Sequence, residues 1–391
     1  MKIKFNKDDL LHASRTTQSM IPPATSLPIL ANILVKAEKD DVNFFACDME
    51  SAVTCTVKAE VEQEGQITIP ANTFATLVRE LPDAEISMYL DEDENLHIEA
   101  PEHTSYQLQT MPAAEFPVWS DVKPQAIFQL DQEYLKKMIE KTIFAIPAKD
   151  PRKVLLGSYL TIDKEIPEFL ENAEIENPIH IRLVSTDGRK LAYIDALGDN
   201  FDGNAPASAI IPYKVLDELR NILGDEGRVE IGIGERQVYF KFRDTVLKTN
   251  IIEGDYPNYD MVIPSEFVYH ISVNKEEFIR ATRRAAIISE SQNNSIIFRF
   301  GPGEVELEAM TFDLGHFSGS VPIEYDGKKF QLAFNHRYLQ EVLNVTETEK
   351  ITLHLKDPGL PVIFHEDDRP ETLFLVMPIR MSQQQEEGEA E

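Results

Sequence analysis

Histidine and acidic residues are the first candidates for catalysis or metal binding in this chain. The nine histidines show neither an HExxH spacing nor a paired-ligand pattern. The run His-Glu-Asp-Asp at 365–368 could attract a divalent cation, but a solvated acidic turn is the commoner origin of such a run. No nucleophile stands in a recognisable arrangement with a base. The sequence therefore predicts no catalytic residue, no metal site and no cofactor.

Three other short patterns have structural explanations. The segment Gly232-Ile233-Gly234 lacks the third glycine of a dinucleotide fingerprint and is followed by strand residues. Thr-Asp-Gly at 186–188 indicates a turn. Cys47 and Cys55 have no CxxC spacing, so we expect two reduced, half-buried thiols.

Length and composition indicate a globular protein of several domains. The chain has 391 residues, 42% of them hydrophobic, and this length suggests about two to four domains. No apolar run of about 18 residues exists and no apolar segment follows the charged residues 1–7, so we expect a cytoplasmic protein without membrane spans. The net charge of −29 by itself argues against binding to nucleic acid, which rests on cations that neutralise phosphates.

A helical unit occurs three times. Segments 5–15, 130–140 and 273–283 share a polar N-cap at their second residue, an acidic first turn and an apolar helical stripe. The residues expected to cap these helices by accepting a hydrogen bond from a first-turn amide are Asn6, Asp131 and Asn274. The spacing of 125 and 143 residues is far above that of solenoid repeats.

A second helix follows in each unit. Pro70, Pro212 and Asn335 stand at the three starts, where a proline without an N–H is harmless. The apolar pairs at matching i, i+3 positions are Phe74/Leu77, Leu216/Leu219 and Leu339/Val342. Alternating apolar runs between the helices indicate antiparallel strands. The fold class is therefore α+β with three repeated domains, predicted at 1–121, 125–262 and 268–380, before a disordered acidic tail at 381–391.

The predicted helices are the least acidic part of the chain. The six windows 5–20, 70–81, 130–145, 212–223, 273–288 and 335–345 carry a net charge of +2, and the remaining residues carry −31. The basic residues beyond the first turns are His12, Arg15, Lys136, Lys137, Lys141, Arg280, Arg283 and Arg284. If all six helices face one way they form a mildly basic surface. Ordinary solvated helix faces are the alternative.

Five segments in register on this repeat resemble the bacterial sliding clamp family, the β subunit of DNA polymerase III. They read LPILAN at 27–32, TMPAAEFP at 110–117, TDGRKLA at 186–192, EGDYPNY at 253–259 and VMPIR at 376–380. The resemblance implies a non-enzymatic processivity factor that closes as a head-to-tail homodimer of six domains around duplex DNA, with about twelve helices inside. Its implied partners are the replicative polymerase catalytic subunit, the clamp loader and other clamp-motif proteins. A ring held by topology needs few phosphate contacts, which reconciles DNA binding with the acidic composition.

The resemblance also implies a partner-binding groove. The pocket residues are Leu155, Thr186, Gly188, Arg189, Leu191, Pro257, Val262, Leu375 and Met377. An adjoining channel would use Asn335, Tyr338, Pro378, Ile379 and Arg380. Apolar walls with a flexible methionine accept varied aliphatic and aromatic side chains. The alternative is that the apolar members are simply core. Arg189-Lys190 and Met261 depart from the family's more common basic residues, so the rim is expected to be less cationic or differently selective.

DNA contacts and a dimer seam are implied in the same way. The loop residues Lys149, Arg152 and Lys153 would lie near DNA, together with the basic residues of the first helix in each repeat. Ala24 stands where the family commonly has an arginine that contacts DNA. The seam would pair Tyr106 and Leu108 with Ile287 and Ile288. Plain helix core is the alternative for the two isoleucines.

Two other classes of protein are alternatives. One is a metal-dependent DNA-processing enzyme that uses its acidic residues, and the other is a multi-domain β scaffold protein. The scaffold would not be expected to contain a threefold helix repeat. A two-domain clamp that trimerises is closer, but three repeats in one chain argue against it.

Overall fold

The six predicted helices are present in the computed structural model, which describes residues 1–22, 24–117, 119–170, 175–289, 294–312 and 314–380. The helices are α1 Lys7–Gln18, α2 Ala71–Glu80, α3 Gln132–Thr142, α4 Tyr213–Ile222, α5 Lys275–Ser289 and α6 His336–Val345. The tail 381–391, predicted to be disordered, lies outside the described residues.

Strands fill most of the sequence between the helices. The first third contains β1 Lys2–Asn6, β2 Asn32–Glu38, β3 Asp41–Cys47, β4 Ser51–Lys58, β5 Glu60–Gln63, β6 Gly65–Pro70, β7 Glu85–Leu90, β8 Leu96–Ala100 and β9 Thr104–Leu108. The second contains β10 Pro124–Asp131, β11 Gly157–Asp163, β12 Ile179–Thr186, β13 Lys190–Gly203, β14 Ala207–Pro212, β15 Arg228–Gly234, β16 Gln237–Phe242 and β17 Thr245–Asn250. The last contains β18 Tyr269–Asn274, β19 Ser295–Gly301, β20 Glu304–Thr311, β21 Gly315–Glu324, β22 Phe330–Asn335, β23 Lys350–Leu355, β24 Val362–Glu366 and β25 Thr372–Val376.

The helix starts show which capping predictions were right. Asn274 Oδ1 accepts a hydrogen bond from the Glu277 N–H at 3.1 Å, as predicted. Asn6 makes no side-chain cap bond, so that prediction was wrong. Asn335 caps α6 by accepting from a first-turn N–H at 2.9 Å. All six predicted i, i+3 residues of the second helices are buried, which anchors each helix by its apolar stripe.

One compact unit comprises residues 1–135, 176–178 and 198–251. It contains an antiparallel sheet in the order β5-β1-β7-β8-β9 and a second antiparallel sheet in the order β6-β2-β3-β4-β17-β16-β15-β10. The β4–β17 pairing joins the first repeat to the second and sets Cys55 opposite Thr245. Helices α1 and α2 cover a core in which Phe44 packs against Phe5 and Phe74.

A second unit comprises the described residues of 136–175, 179–197 and 252–391. Strands β18, β23, β24 and β25 pair in sequence, and β25 continues the sheet to residues 190–194 of β13. Strands β22, β19, β20 and β21 form another antiparallel sheet. Phenylalanines dominate the core between these sheets and the helices α5 and α6, including Phe278, Phe298 and Phe334. The α+β class with antiparallel sheets is therefore confirmed.

Candidate partner-binding site

An open cavity in the second unit gathers the predicted pocket residues. Its volume is about 590 Å³, including space open to solvent. The predicted residues that line it are Leu155, Thr186, Gly188, Arg189, Leu191, Pro257, Val262, Leu375 and Met377. Arg152, Lys190, Asn258 and Tyr259 complete the wall and were not predicted to do so. The cavity is thus a largely apolar recess with a cationic side, suited to an apolar peptide side chain.

A tight turn between β12 and β13 forms one side of the cavity. Asp187 Oδ1 accepts hydrogen bonds from the N–H groups of Arg189 at 2.7 Å and Lys190 at 2.9 Å. The Thr186 hydroxyl donates to the Lys190 carbonyl at 2.7 Å and accepts from the Gly188 N–H at 3.0 Å. Gly188 has a φ of +85°, which a residue with a Cβ rarely adopts. The turn predicted from Thr-Asp-Gly is confirmed, and it fixes the backbone at the cavity mouth.

The apolar lining divides into a floor and a rim. Leu155, Leu191 and Leu375 are buried and form the floor, so they belong to the core and line the cavity as well. Val262 is 48% exposed at the rim, and Met377 is partly buried. The backbone N–H of Met377 donates to the carbonyl of a turn residue at 2.8 Å, which holds this methionine beside the turn. A rigid floor beneath an adaptable methionine suits a groove that accepts different anchors.

Tyr259, which sequence reasoning missed, is supported by a buried charged network. The Arg182 guanidinium donates to both carboxylate oxygens of Asp195, at 2.6 and 2.8 Å, and bonds to the Tyr259 hydroxyl. His180 Nε2 lies 2.8 Å from the same carboxylate. Burial opposes ionisation of Asp195, but its hydrogen bonds with Arg182 and His180 hold its pKa below the usual range. The only sequence signal for Tyr259 was its place two residues after Pro257 in a family segment.

Arg152 belongs to the cavity wall rather than to a free loop. Its guanidinium bonds to both carboxylate oxygens of Asp150, each at 2.9 Å, and donates to the Asp187 carbonyl at 3.1 Å. This pairing holds the pKa of Asp150 at about 2. The position at the cavity is a role that the sequence did not predict for Arg152. Its side chain is 53% exposed, and its contact with DNA stays a prediction.

Tyr338, predicted for the adjoining channel, lies beside the cavity. The ring centroid is 5.2 Å from Lys190 Nζ, which also pairs with Glu341. A hydrogen bond with the Tyr338 hydroxyl raises the pKa of Arg189. Tyr338 thus connects the cavity wall to α6.

The other predicted channel residues do not line the cavity. Ile379 donates its N–H to the Ala333 carbonyl at 2.7 Å and extends the chain from β25 along β22. The side-chain oxygen of Asn335 is occupied by its cap bond. Pro378 is partly buried and Arg380 is exposed. A channel formed by these residues stays a prediction.

The basic residues predicted to contact DNA differ in accessibility. The exposed ones are Arg15, Lys149, Arg152, Lys153, Arg280, Arg283 and Arg284. Lys136 and Lys137 are partly buried, and Lys137 Nζ lies 3.3 Å from the Glu347 carboxylate. Their contact with DNA stays a prediction.

Lys141 cannot reach a ligand on the surface. It is 2% exposed, and its ammonium lies 2.8 Å from the carboxylate of Glu366, which is 0% exposed. The assignment of Lys141 to DNA contact was therefore wrong, because burial and pairing commit the charge to the interior. The same pair corrects the solvated-turn interpretation for Glu366, which lies in the core, whereas 367–368 form a turn in which Asp368 is exposed.

Two of the four predicted seam residues are exposed in their own units, and the other two are partly buried. Tyr106 is 39% exposed on β9, the edge strand of its sheet, and Leu108 packs partly against the core. Ile287 is 68% exposed, whereas Ile288 packs partly against the core. The sequence analysis missed three exposed apolar residues near the turn between β20 and β21, which are Met310, Phe312 and Leu314, with exposed fractions of 70%, 97% and 60%.

The remaining sequence patterns have structural roles or positions. Gly232 and Gly234 lie in β15, as expected for strand residues. Cys47 and Cys55 are both free and 0% exposed, so the expectation of half-buried thiols was wrong. Met261 is 82% exposed, and Ala24 is also exposed. No helix among the described residues is long and apolar enough to cross a membrane.

Comparison with known proteins identifies the family. Family models for the DNA polymerase III beta subunit match its N-terminal domain at residues 1–120, its central domain at 129–258 and its C-terminal domain at 260–380. The beta sliding clamp of Caulobacter vibrioides is 30% identical over 384 residues, covering 97% of this chain and 100% of the relative. That of Chlamydia pneumoniae is 29% identical, covering 97% of this chain and 99% of the relative.

Solved structures agree with these matches. The sliding clamp of Pseudomonas aeruginosa, crystallised with griselimycin, superposes with a TM-score of 0.89 at 25% identity, covering 97% of this chain and 100% of that chain. The polymerase sliding clamp of Caulobacter crescentus gives 0.88 at 29% identity with the same coverage. The chain therefore belongs to the DNA polymerase III beta subunit family.

Proposed function

We propose that this protein is a DNA sliding clamp, the non-catalytic processivity factor that tethers the replicative polymerase to duplex DNA. The observation that carries the proposal is the cavity, because nine residues from four separate segments of the chain converge on it. A recess of this kind binds a short linear motif through an apolar anchor, and its turn and cations orient the peptide's polar groups. The proposed occupants are motifs of the polymerase catalytic subunit, the clamp loader and other clamp-motif proteins.

Two accessible sheet edges support a head-to-tail homodimer. Strand β9 is the edge of its sheet in the first unit. Residues 315–322 of β21 pair only with β20 among the described strand pairings of the second unit. A head-to-tail contact between such different surfaces closes into a ring when the rotation allows it. Covering Ile287 and Phe312 would also remove an exposed apolar patch that a monomer rarely keeps.

The exposed cations support weak and sequence-independent contact with DNA. The proposed contacts are Arg15, Lys149, Arg152, Lys153, Arg280, Arg283 and Arg284, with Lys136 and Lys137 as partly buried members. A chain with a net charge of −29 binds DNA weakly by nonspecific electrostatic attraction. Its retention on DNA must therefore come from encirclement. Few phosphate contacts give a shallow dependence on salt and permit sliding.

The remaining assignments follow from this function. We propose three clamp domains at 1–121, 125–262 and 268–380 and an acidic tail at 381–391. The proposed location is the cytoplasm, where bacterial replication takes place. The protein needs no cofactor for this task because encirclement and tethering involve no bond chemistry.

Peptide titration tests the groove. A pentapeptide or hexapeptide clamp-binding motif should bind with a micromolar Kd, which corresponds to a binding free energy of about −8 kcal/mol. Met377→Ala should weaken the binding about tenfold, because the apolar anchor of the peptide loses a contact. Leu360→Ala is the matched control, since Leu360 is a partly exposed aliphatic residue of the same unit outside the cavity lining. Equal affinity of wild type and Met377→Ala would refute the pocket.

Retention on DNA tests encirclement. After loading by a clamp loader, the protein should stay on a nicked circular plasmid and leave when the plasmid is cut once. Equal retention before and after cutting would show adhesion rather than topology. Cleavage of DNA by the protein with Mg²⁺ would instead favour the enzyme alternative.

A further inference from the structure

Three metal-binding side chains from distant segments meet in the first unit. His12 lies on α1, Cys55 lies on β4, and Asp244 lies in the turn between β16 and β17. A ligand atom of each lies within 4.8 Å of the other two, and His12 Nε2 is 3.1 Å from the Asp244 carboxylate. Because the three residues are separated by 43 and 189 positions, no local ligand spacing in the sequence marks this group.

We propose that His12, Cys55 and Asp244 bind a Zn²⁺ ion, with water as the fourth ligand. Typical Zn–S, Zn–N and Zn–O bonds place the ligand atoms of a tetrahedral site about 3.3 to 3.7 Å apart. The arrangement within 4.8 Å therefore needs only small side-chain adjustments to close on the ion. Sulfur and imidazole donors favour Zn²⁺ over Mg²⁺ or Ca²⁺, which prefer oxygen ligands.

The backbone holds two of the three ligands in place. Cys55 is opposite Thr245 in the β4–β17 pairing, and the Thr56 N–H donates to the Asp244 carbonyl at 2.8 Å. The Thr245 hydroxyl also donates to the Asp244 carboxylate at 3.0 Å, which orients it in the way that outer partners orient metal ligands. The His12 and Asp244 side chains are 47% and 34% exposed, so an ion and a water molecule can enter.

The ion would brace the junction between the first two repeats. It would connect α1 to the strands β4 and β17, where the sheet passes from one repeat to the next. A catalytic Cys-His-Asp arrangement does not fit, because Cys55 is 0% exposed and no substrate reaches its sulfur. The simpler alternative is a His12–Asp244 ion pair with a hydrogen bond between His12 and the Cys55 thiol, and it involves no metal ion.

Cobalt spectroscopy distinguishes the metal site from the ion pair. The full chain, stripped with a chelator, is titrated with Co²⁺ at pH 7.5. We expect a saturable thiolate-to-cobalt absorption band at one equivalent, and its displacement by Zn²⁺. Cys55→Ser should abolish the band, whereas Cys47→Ser should keep it, because Cys47 is the matched buried thiol outside the group. His12→Gln and Asp244→Asn should each weaken Co²⁺ binding about tenfold or more.

Several outcomes would overturn the site. Absence of the sulfur band in the wild-type chain at millimolar Co²⁺, or its persistence in Cys55→Ser, rules out coordination by Cys55. If Cys55→Ser fails to fold, the partly exposed His12 decides the question, since an unchanged Co²⁺ affinity in His12→Gln contradicts the proposal. Retention on circular DNA is a separate measurement, so failure of the metal site and failure of the clamp function are distinguishable.

Discussion

Replacing Lys141 with methionine tests the interior role of a lysine whose sequence context suggested DNA contact. The ammonium lies 2.8 Å from the Glu366 carboxylate, and the two side chains are 3% and 0% exposed. Removing one partner of such a buried pair costs about 3 to 5 kcal/mol, because the other charge stays buried without compensation. Thr372 also donates to the Glu366 carboxylate, at 3.3 Å, and so does the Glu347 backbone N–H. These remaining donors place the expected loss near the lower limit, about 3 kcal/mol.

The assay must follow the second unit, because a chain of several domains does not unfold in two states. Urea unfolding monitored by hydrogen exchange in peptides of β24 and β25 reports the stability around Glu366. Lys137→Met is the matched control, since Lys137 pairs with Glu347 at 3.3 Å near the surface and should cost below about 1 kcal/mol. Adding Glu366→Gln to Lys141→Met should recover much of the loss, because no uncompensated charge remains.

The result also separates the two roles of Lys141. If the lysine is interior, the salt dependence of DNA retention is unchanged in Lys141→Met. Unchanged stability together with weaker retention on DNA would refute the buried-pair reasoning and restore the surface assignment.

Three further predictions concern the seam, the DNA loop and pH. Ile287→Ala with Ile288→Ala should give monomers in sedimentation at concentrations where the wild type is dimeric, because the seam loses apolar contact, and a stable dimer would contradict the assignment. Lys149→Ala with Lys153→Ala should slow clamp loading about tenfold if these exposed cations attract DNA. Peptide affinity should stay unchanged because neither lysine lines the cavity. Unchanged loading would remove the DNA role. Burial and two adjacent imidazoles lower the pKa of His354 to about 4, below its unfolded value of about 6.5. The unfolded state therefore binds this proton more readily than the folded state. The free energy of unfolding should fall by about 1 kcal/mol as the pH drops from about 6.5 to 4. His354→Gln should reduce this loss, and an unchanged pH profile would be inconsistent with it.

The sequence by itself determined the repeat, the helices and the α+β class. Each helix carries an apolar stripe that must be buried, and the period of that stripe can be read from pairs such as Leu216 and Leu219. The turn at 186–188 was equally local, because Asp187 and Gly188 meet its hydrogen-bonding and φ requirements within a few residues. The pocket residues were known only through the resemblance to a family, since no local pattern distinguishes the core leucine Leu191 from the rim residue Val262.

Only the tertiary structure decided which charges are accessible and which distant side chains meet. Lys137 and Lys141 lie one helical turn apart, yet one remains near the surface and the other is buried against Glu366, 225 residues along the chain. Cys55 and Asp244 become neighbours because β4 pairs with β17. Strand pairing and burial depend on contacts between residues that are remote in sequence. Composition and periodicity therefore cannot predict these contacts.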